Sequence, residues 1–476
     1  MSRPRLCVLL LAAACAALAL PGAAQAEQLL RGRRFTVADP APADPSQRTL
    51  RATARQVGAA PLDGNPTLPT GFGGAVVEIV ASGATPSWQL VSLPAGTAAD
   101  GTPFWTALRT GGYRYRDRDG AQGPVRSLVV KRTARGTMRM KLAADGAALA
   151  VTPPAPGTDA QLALTLSQGD RLCVQYGPES RLRNDGAARF TAARPVALGC
   201  GTRPETTGEF VALSYNVAGL PEGISGSHPA TNTAIISPLL NAYDLVLVQE
   251  SWQTPDPNPL APLRVYHEIL AAGALHPYKT VSAPLPLGTD PRRPTALVSD
   301  GLNAFSRFPF THLAREMWNG CWESAADCLS QKGFMMVRMT VAPGVTIDVY
   351  DLHMEAGGAP EDDVLRDEGV TQLATFINAV SAGRPVIVGG DFNLHTDEEP
   401  DASQFARLLA ETGLTDVCAA LACPQPGRID KFLFRSGGDT TIEALSWRFE
   451  TDIFVDDAGE PLSDHDPLAV RFRWTR

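Results

Sequence analysis

Five short polar clusters carry the residue types that hydrolysis at phosphorus needs. Ser214-Tyr215-Asn216, Val248-Gln249-Glu250, Asp351-Leu352-His353 and Gly390-Asp391-Phe392-Asn393 each follow a short apolar run, and Leu462-Ser463-Asp464-His465-Asp466 precedes one. In-line attack on a phosphoester needs a base, a Lewis acid for the leaving oxygen and donors for the equatorial oxygens. Glu250 beside Asn216 offers hard oxygen donors suited to Mg²⁺, which takes few protein ligands and keeps waters for a phosphate. His465 is a candidate base, because Asp430, in Arg428-Ile429-Asp430-Lys431-Phe432, can hold one ring nitrogen and leave the other free. Each cluster alone also has a plain structural reading. Glu250 reads as an exposed strand-end carboxylate, Asp391 and Asn393 as caps of an Asx turn, and a lone histidine as a satisfied imidazole. The five together, in this order, favour the chemistry.

Side chains from so many places must be held by rigid elements, and strand ends are suited to this. Apolar runs at residues 210–215, 245–248, 347–352 and 386–388 read as strands. Gly389-Gly390 reads as a turn that projects Asp391 and Asn393 from one edge and lets a phosphate approach the backbone. The spacing of Val364, Leu365, Leu373, Phe376 and Ile377 predicts a helix over residues 363–379, and Phe405, Leu408 and Leu409 predict another that stops near Gly413. Strands alternating with helices predict an α/β layered catalytic domain over residues 208–476. Residues 69–205 have a different texture. Short runs at 75–80, 127–131, 138–142 and 162–166 separated by Gly, Asp and Pro turns predict a β-rich accessory domain of the sandwich kind. There Arg114, Arg116 and Arg118 alternate with Tyr115, Asp117 and Asp119, the pattern of a solvated strand or turn. Residues 27–68, rich in Pro, Ala, Arg and Asp, read as a loosely ordered linker, and the domain boundary is expected at residues 203–208.

Arg3 and Arg5, the apolar residues 6–20 and the small-x-small site Ala24-Gln25-Ala26 predict a signal peptide over residues 1–26 and therefore a secreted protein, extracellular or periplasmic. Six cysteines then remain, an even number that fits disulfides in an exported chain. Proximity pairs Cys173 with Cys200, Cys321 with Cys328 and Cys418 with Cys423, while sequence alone leaves the connectivity open. The net charge of −8 and 44% hydrophobic content describe a globular protein without a broad nucleic-acid face. Arg292-Arg293 is the only local basic pair near the motifs.

These clusters resemble the endonuclease/exonuclease/phosphatase superfamily, whose fold is the deoxyribonuclease-I-like four-layer αββα sandwich. Within it, three features are similar to secreted sphingomyelinases. They are Asn216-Val217-Ala218-Gly219-Leu220-Pro221; Ser299-Asp300-Gly301-Leu302-Asn303 with Phe305-Ser306-Arg307; and Cys321-Trp322 followed by Asp327-Cys328 and Lys332-Gly333-Phe334. The resemblance implies a metal site at Glu250 and Asn216, with Asp464 in or behind it, for Mg²⁺ or another divalent cation. It implies His465 as base oriented by Asp430, Asp391 and Asn393 positioning the attacking water, His353 on a phosphoryl oxygen and Lys332 as a phosphate contact. The implied substrate is a phospholipid at a membrane surface, cleaved to release its phosphorylated headgroup, with no stable nucleic-acid partner. An extracellular nuclease of the same fold is the alternative. Two departures stand out. Lys431 follows Asp430 where many members have an aromatic residue. Trp447, Phe449 and Phe454 are either an exposed aromatic hairpin or core residues of a strand.

Overall fold

A computed structural model describes residues 27–476 apart from residues 63, 69–72, 110, 168–170, 178–182, 185, 194, 196–206, 221–224, 255–263, 286–289 and 323–326. The signal peptide, most of the expected domain boundary and Cys200 lie outside the described residues. The other two expected disulfides are formed, Cys321–Cys328 and Cys418–Cys423.

The N-terminal part is all-β over one core. Strands follow the order Ser87–Leu93, Ala75–Gly83, Gly157–Leu166, Arg171–Tyr176, Glu27–Ala38, Thr49–Gln56, Met138–Asp145, Val125–Arg132, Gly112–Arg116 and Trp105–Ala107. Residues 27–68 are thus not a loose linker. Glu27–Ala38 is a central strand that pairs with Arg171–Tyr176 in its first half and with Thr49–Gln56 in its second. Its arginines hide an alternation that buries Leu30, Phe35 and Val37, and Leu50, Ala52 and Ala54 continue the same core from the next strand. Asp39, Pro40, Pro42, Asp44 and Pro45 lie in the connection between the two strands, while Pro61 and Pro66 follow the second strand.

The second part is four layers deep. One six-stranded sheet runs Tyr278–Lys279, Asn303–Ser306, Leu245–Gln249, Thr207–Asn216, Leu468–Thr475, Thr441–Phe449. The other runs Phe310–Met317, Gly333–Ala342, Val345–His353, Val386–Asp391, Asp430–Arg435, Thr415–Asp416. Their inner faces share an apolar core that includes Leu247, Val349, Ile387, Phe432 and Phe472. Helices Pro229–Leu239 and Tyr266–Gly273 cover the outside of the first sheet through Ile236, Leu240 and Leu270. Helices Pro360–Val380 and Asp401–Thr412 cover the second through Val370, Leu373, Ile377 and Leu408. The second of these helices ends on Gly413 in the left-handed conformation, as its position after the apolar run predicts.

The Gly389-Gly390 pair is not a turn: both residues lie within the strand Val386–Asp391. The reason is packing. A Cβ at Gly389 would lie 2.6 Å from the Phe432 ring and 2.8 Å from Leu247 of the opposite sheet, so only glycine lets the sheets approach there.

The aromatic residues Trp447 and Phe449 belong to the strand Thr441–Phe449 and pack against the inter-sheet core, while Phe454 is buried. The core-strand reading holds for Trp447 and Phe449, while Phe454 sits in the loop after the strand. No helix among the described residues is long and apolar enough to cross a membrane.

Candidate active site

Strand parity explains how distant clusters meet. Side chains alternate between faces, so residues at even spacing from an inner-face residue also point inward. Ala212 and Phe210 point inward, and so does Asn216; Ile347 and Val349 carry the pattern to His353; Ile387 carries it to Asp391; Phe432 carries it back to Asp430. Across the second sheet His353 is the register partner of Asp391, and Asp391 of Asp430, which makes one row of three polar side chains. The first sheet faces this row with Asn216, Glu250 and His465.

The contacts between the two sheets are direct. His465 Nδ1 lies 2.9 Å from Asp430 Oδ2. Its Nε2 lies 3.5 Å from Asn216 Nδ2 and 3.7 Å from Asp391 Oδ2. Asn216 Nδ2 donates to Asp391 Oδ2 and to Glu250 Oε1, each at 3.1 Å. His353 Nε2 lies 3.3 Å from Asp391 Oδ2 and 4.0 Å from Glu250 Oε1. The loop that carries His465 is tied to the first sheet by the Ser463 hydroxyl, which donates to Asn216 O at 2.7 Å and accepts from His465 N–H. The aromatic residue missing after Asp430 is not needed for this pairing. Lys431 points to the other side of its strand and donates to Pro426 O, Arg428 O and Thr396 Oγ1.

Charge sets the protonation. Burial works to lower the pKa of His465, but the hydrogen bond and charge of Asp430, with Asp391 and Asp464, outweigh it and push it up to about 10. Burial pushes the Asp391 carboxyl up, and the nearby Asp430 charge adds to this. His353 is held well below the usual imidazole range by burial and by the charges of Lys332 and His465, so it is a neutral ring.

The remaining expected residues fall in different places. Glu250 is half-buried at the end of its strand, in a left-handed conformation with φ 57°, and its Oε2 accepts from Trp252 Nε1 at 3.4 Å. Asn393 closes an Asx turn by donating its backbone N–H to Asp391 Oδ1 at 3.0 Å, and its amide donates to Met354 O. Lys332 is buried and paired with Asp327 Oδ1 at 2.6 Å, close enough to the cleft to act on His353 and Asp391 by charge. Asp464 is exposed, with its carboxylate beside the Ser463 hydroxyl. Two neighbours went unnoticed in the sequence. Trp252 walls the site behind Glu250 and His353. Gln249, a polar residue at an inward position of an apolar strand, was legible by parity alone. Arg293, half of the local basic pair, is buried and donates to Gly320 O, so it offers no anion-binding face.

A divalent cation fits this donor set. Carboxylate oxygens of Glu250 and Asp391 converge from two sheets around the Asn216 amide nitrogen, whose Oδ1 accepts from Ala218 N–H at 3.0 Å, and the buried acids repel one another until positive charge arrives. Among the described residues, Asp391, Asp430 and His465 each bring a ligand atom within 4.8 Å of the others. Two of those three are already hydrogen-bonded to each other, so they serve better as an oriented imidazole than as a metal cage. Glu250 Oε1 and Asp391 Oδ2, both held by the Asn216 amide nitrogen, are the carboxylate oxygens that face each other across the cleft.

A four-layer sandwich with acids and imidazoles meeting at one end of its two sheets defines the class. The chain belongs to the Endonuclease/Exonuclease/phosphatase family, matched over residues 213–465. It is 32% identical over 337 residues to proteins named sphingomyelinase from Mycobacterium bovis and Mycobacterium tuberculosis, covering 64% of this chain and 63% of each relative. The chain therefore spans less than two thirds of the length of these relatives. A solved sphingomyelinase C from Streptomyces griseocarneus matches 56% of this chain and 99% of its own at 19% identity, with a TM-score of 0.40.

Proposed function

We propose that this chain is a secreted, Mg²⁺-dependent phosphodiesterase that cleaves sphingomyelin or a closely related phospholipid on the headgroup side, releasing the phosphorylated headgroup. The observation that carries the reading is the His465–Asp430 pair at 2.9 Å, formed across two sheets and opening toward Asn216, Glu250, His353 and Asp391. The relatives named sphingomyelinase supply the substrate class.

In this mechanism Asp430 holds Nδ1–H of His465, so Nε2 faces the cleft and takes the proton of the attacking water. Asp391, fixed by Asn216 and by the Asx turn of Asn393, orients that water. Neutral His353 offers Nε2–H to a phosphoryl oxygen, and Lys332 adds positive charge from behind the cleft. Glu250, with Asn216, would hold the metal. A divalent cation there would supply Lewis-acid charge and offset the carboxylates that raise His465, freeing its Nε2 to take the proton. Asp464 contributes charge from the rim.

The test uses the mature protein with sphingomyelin vesicles, phosphatidylcholine vesicles and plasmid DNA, each with Mg²⁺ and with EDTA. Phosphocholine release from sphingomyelin that EDTA abolishes is the expected result. Nicking of DNA with both lipids intact overturns the lipid reading in favour of a nuclease.

A further inference from the structure

One layer behind the site lies a buried polar bridge that the mechanism does not use. Gln249 Nε2 donates to Asp351 Oδ1 at 2.5 Å, across the gap between the sheets, and lies 3.3 Å from Ser214 Oγ. All three residues are fully buried. Gln249 Oε1 and Asp351 Oδ2 are buried without a hydrogen-bond partner among the described residues. The contact between the sheets further in is mainly apolar, from Leu247 and Val349 to Phe472. A bridge with two unsatisfied acceptors is a poor way to stabilise such an interface, since an apolar pair of similar volume would pack without the desolvation cost. A hydrogen bond has one feature that apolar packing lacks, which is direction.

Position gives that direction a use. Gln249 immediately precedes Glu250, and Asp351 lies two residues before His353, on the same inward face. The two sheets carry different halves of the site, so a slide of one over the other changes the Glu250–His353, Asn216–Asp391 and His465–Asp430 separations together. Greasy contacts resist such a slide weakly, because dispersion and hydrophobic forces have little directionality. We propose that Gln249 and Asp351 are positioning residues, a cross-sheet clamp that sets the slide of the two sheets and so the spacing of the metal-holding and phosphate-facing side chains. The proposal rests on the phosphodiesterase reading of the same site for its kinetic consequence, but not for its effect on cation binding.

The experiment compares the whole mature protein with Gln249→Leu, which replaces the amide donor by an apolar side chain, and Asp351→Asn, which keeps an acceptor at Oδ1. Mg²⁺ binding is measured by calorimetry without substrate, kcat and KM on sphingomyelin vesicles, and unfolding in urea. Gln249→Leu should weaken Mg²⁺ binding by about tenfold and lower kcat by up to roughly 10²-fold, with KM little changed and a lower unfolding midpoint, because the buried Asp351 loses its donor. Asp351→Asn should stay within a few-fold of wild type in all three. If Gln249→Leu does not fold, Gln249→Asn, which withdraws the amide by one methylene, should show the same losses. Wild-type Mg²⁺ affinity in a folded Gln249 variant overturns the clamp. Wild-type protein that binds Mg²⁺ but leaves sphingomyelin intact overturns the substrate reading alone, because the calorimetric comparison still stands.

Discussion

Replacing Asp430 by Asn tests the chemistry at its centre. The substitution preserves shape and removes the charge that faces His465 Nδ1 at 2.9 Å. Raising the imidazole from 6.5 to about 10 corresponds to about 5 kcal/mol in favour of its protonated form. Asp430 supplies both the hydrogen bond and the largest favourable charge in that balance. If it accounts for half, ~2.5 kcal/mol of support for the imidazolium formed in the transition state disappears, a slowing of roughly 10²-fold. Loss of control over which ring nitrogen holds the proton adds to this, so a fall in kcat of about 10²–10⁴-fold is expected. The assay is phosphocholine release from sphingomyelin vesicles at saturating Mg²⁺, with near-ultraviolet dichroism to establish that the variant is folded. Lys431→Met is the control, since that side chain points away from the cleft, and it should leave the rate within a few-fold of wild type. A folded Asp430→Asn protein that turns over within about fivefold of wild type refutes the base assignment.

Three further outcomes follow from the same geometry. Glu250→Gln keeps the volume and removes the negative charge, so the half-activating Mg²⁺ concentration should rise by about 10–100-fold in a metal titration. Gly389→Ala puts a Cβ 2.6 Å from Phe432 and 2.8 Å from Leu247; urea unfolding should show a loss of about 1–3 kcal/mol. His267 is held down to about 4 chiefly by burial, against its ordinary 6.5. The unfolded chain then binds the extra proton first, so stability is retained above about pH 6.5 and falls as the pH drops toward 4, by up to about 3 kcal/mol. In His267→Gln that part of the acid sensitivity should vanish from unfolding curves measured across the window.

Much of the site was legible before any fold was known. Apolar runs followed by Asn216, Glu250, His353 and the Gly389-Gly390-Asp391 segment told which residues sit at or just past strand ends. The helices read over 363–379 and around Phe405, Leu408 and Leu409 were equally plain, because their apolar spacing and the stop at Gly413 are local properties. Asp430 could be named as a partner of His465 from its residue type and its place at a strand start. Composition misled where it averaged over a pattern: the arginines and prolines of residues 27–68 concealed Phe35, Val37 and Leu50 at alternating buried positions.

Residue types and spacing by themselves determined the chemistry available: a carboxylate and a carboxamide for a hard cation, imidazoles for proton transfer, and strands to hold them. Tertiary structure decided which of these side chains meet. Register across the second sheet lines up His353, Asp391 and Asp430, and the packing of one sheet on the other brings Asn216, Glu250 and His465 to that row. It also turned Lys431 away from the site, made Gly389-Gly390 part of a strand, and set Gln249 against Asp351. The physical reason is one of range. Propensity and alternation act over a few residues, whereas register and sheet-on-sheet approach depend on side chains more than a hundred positions apart, such as Leu247 against Gly389.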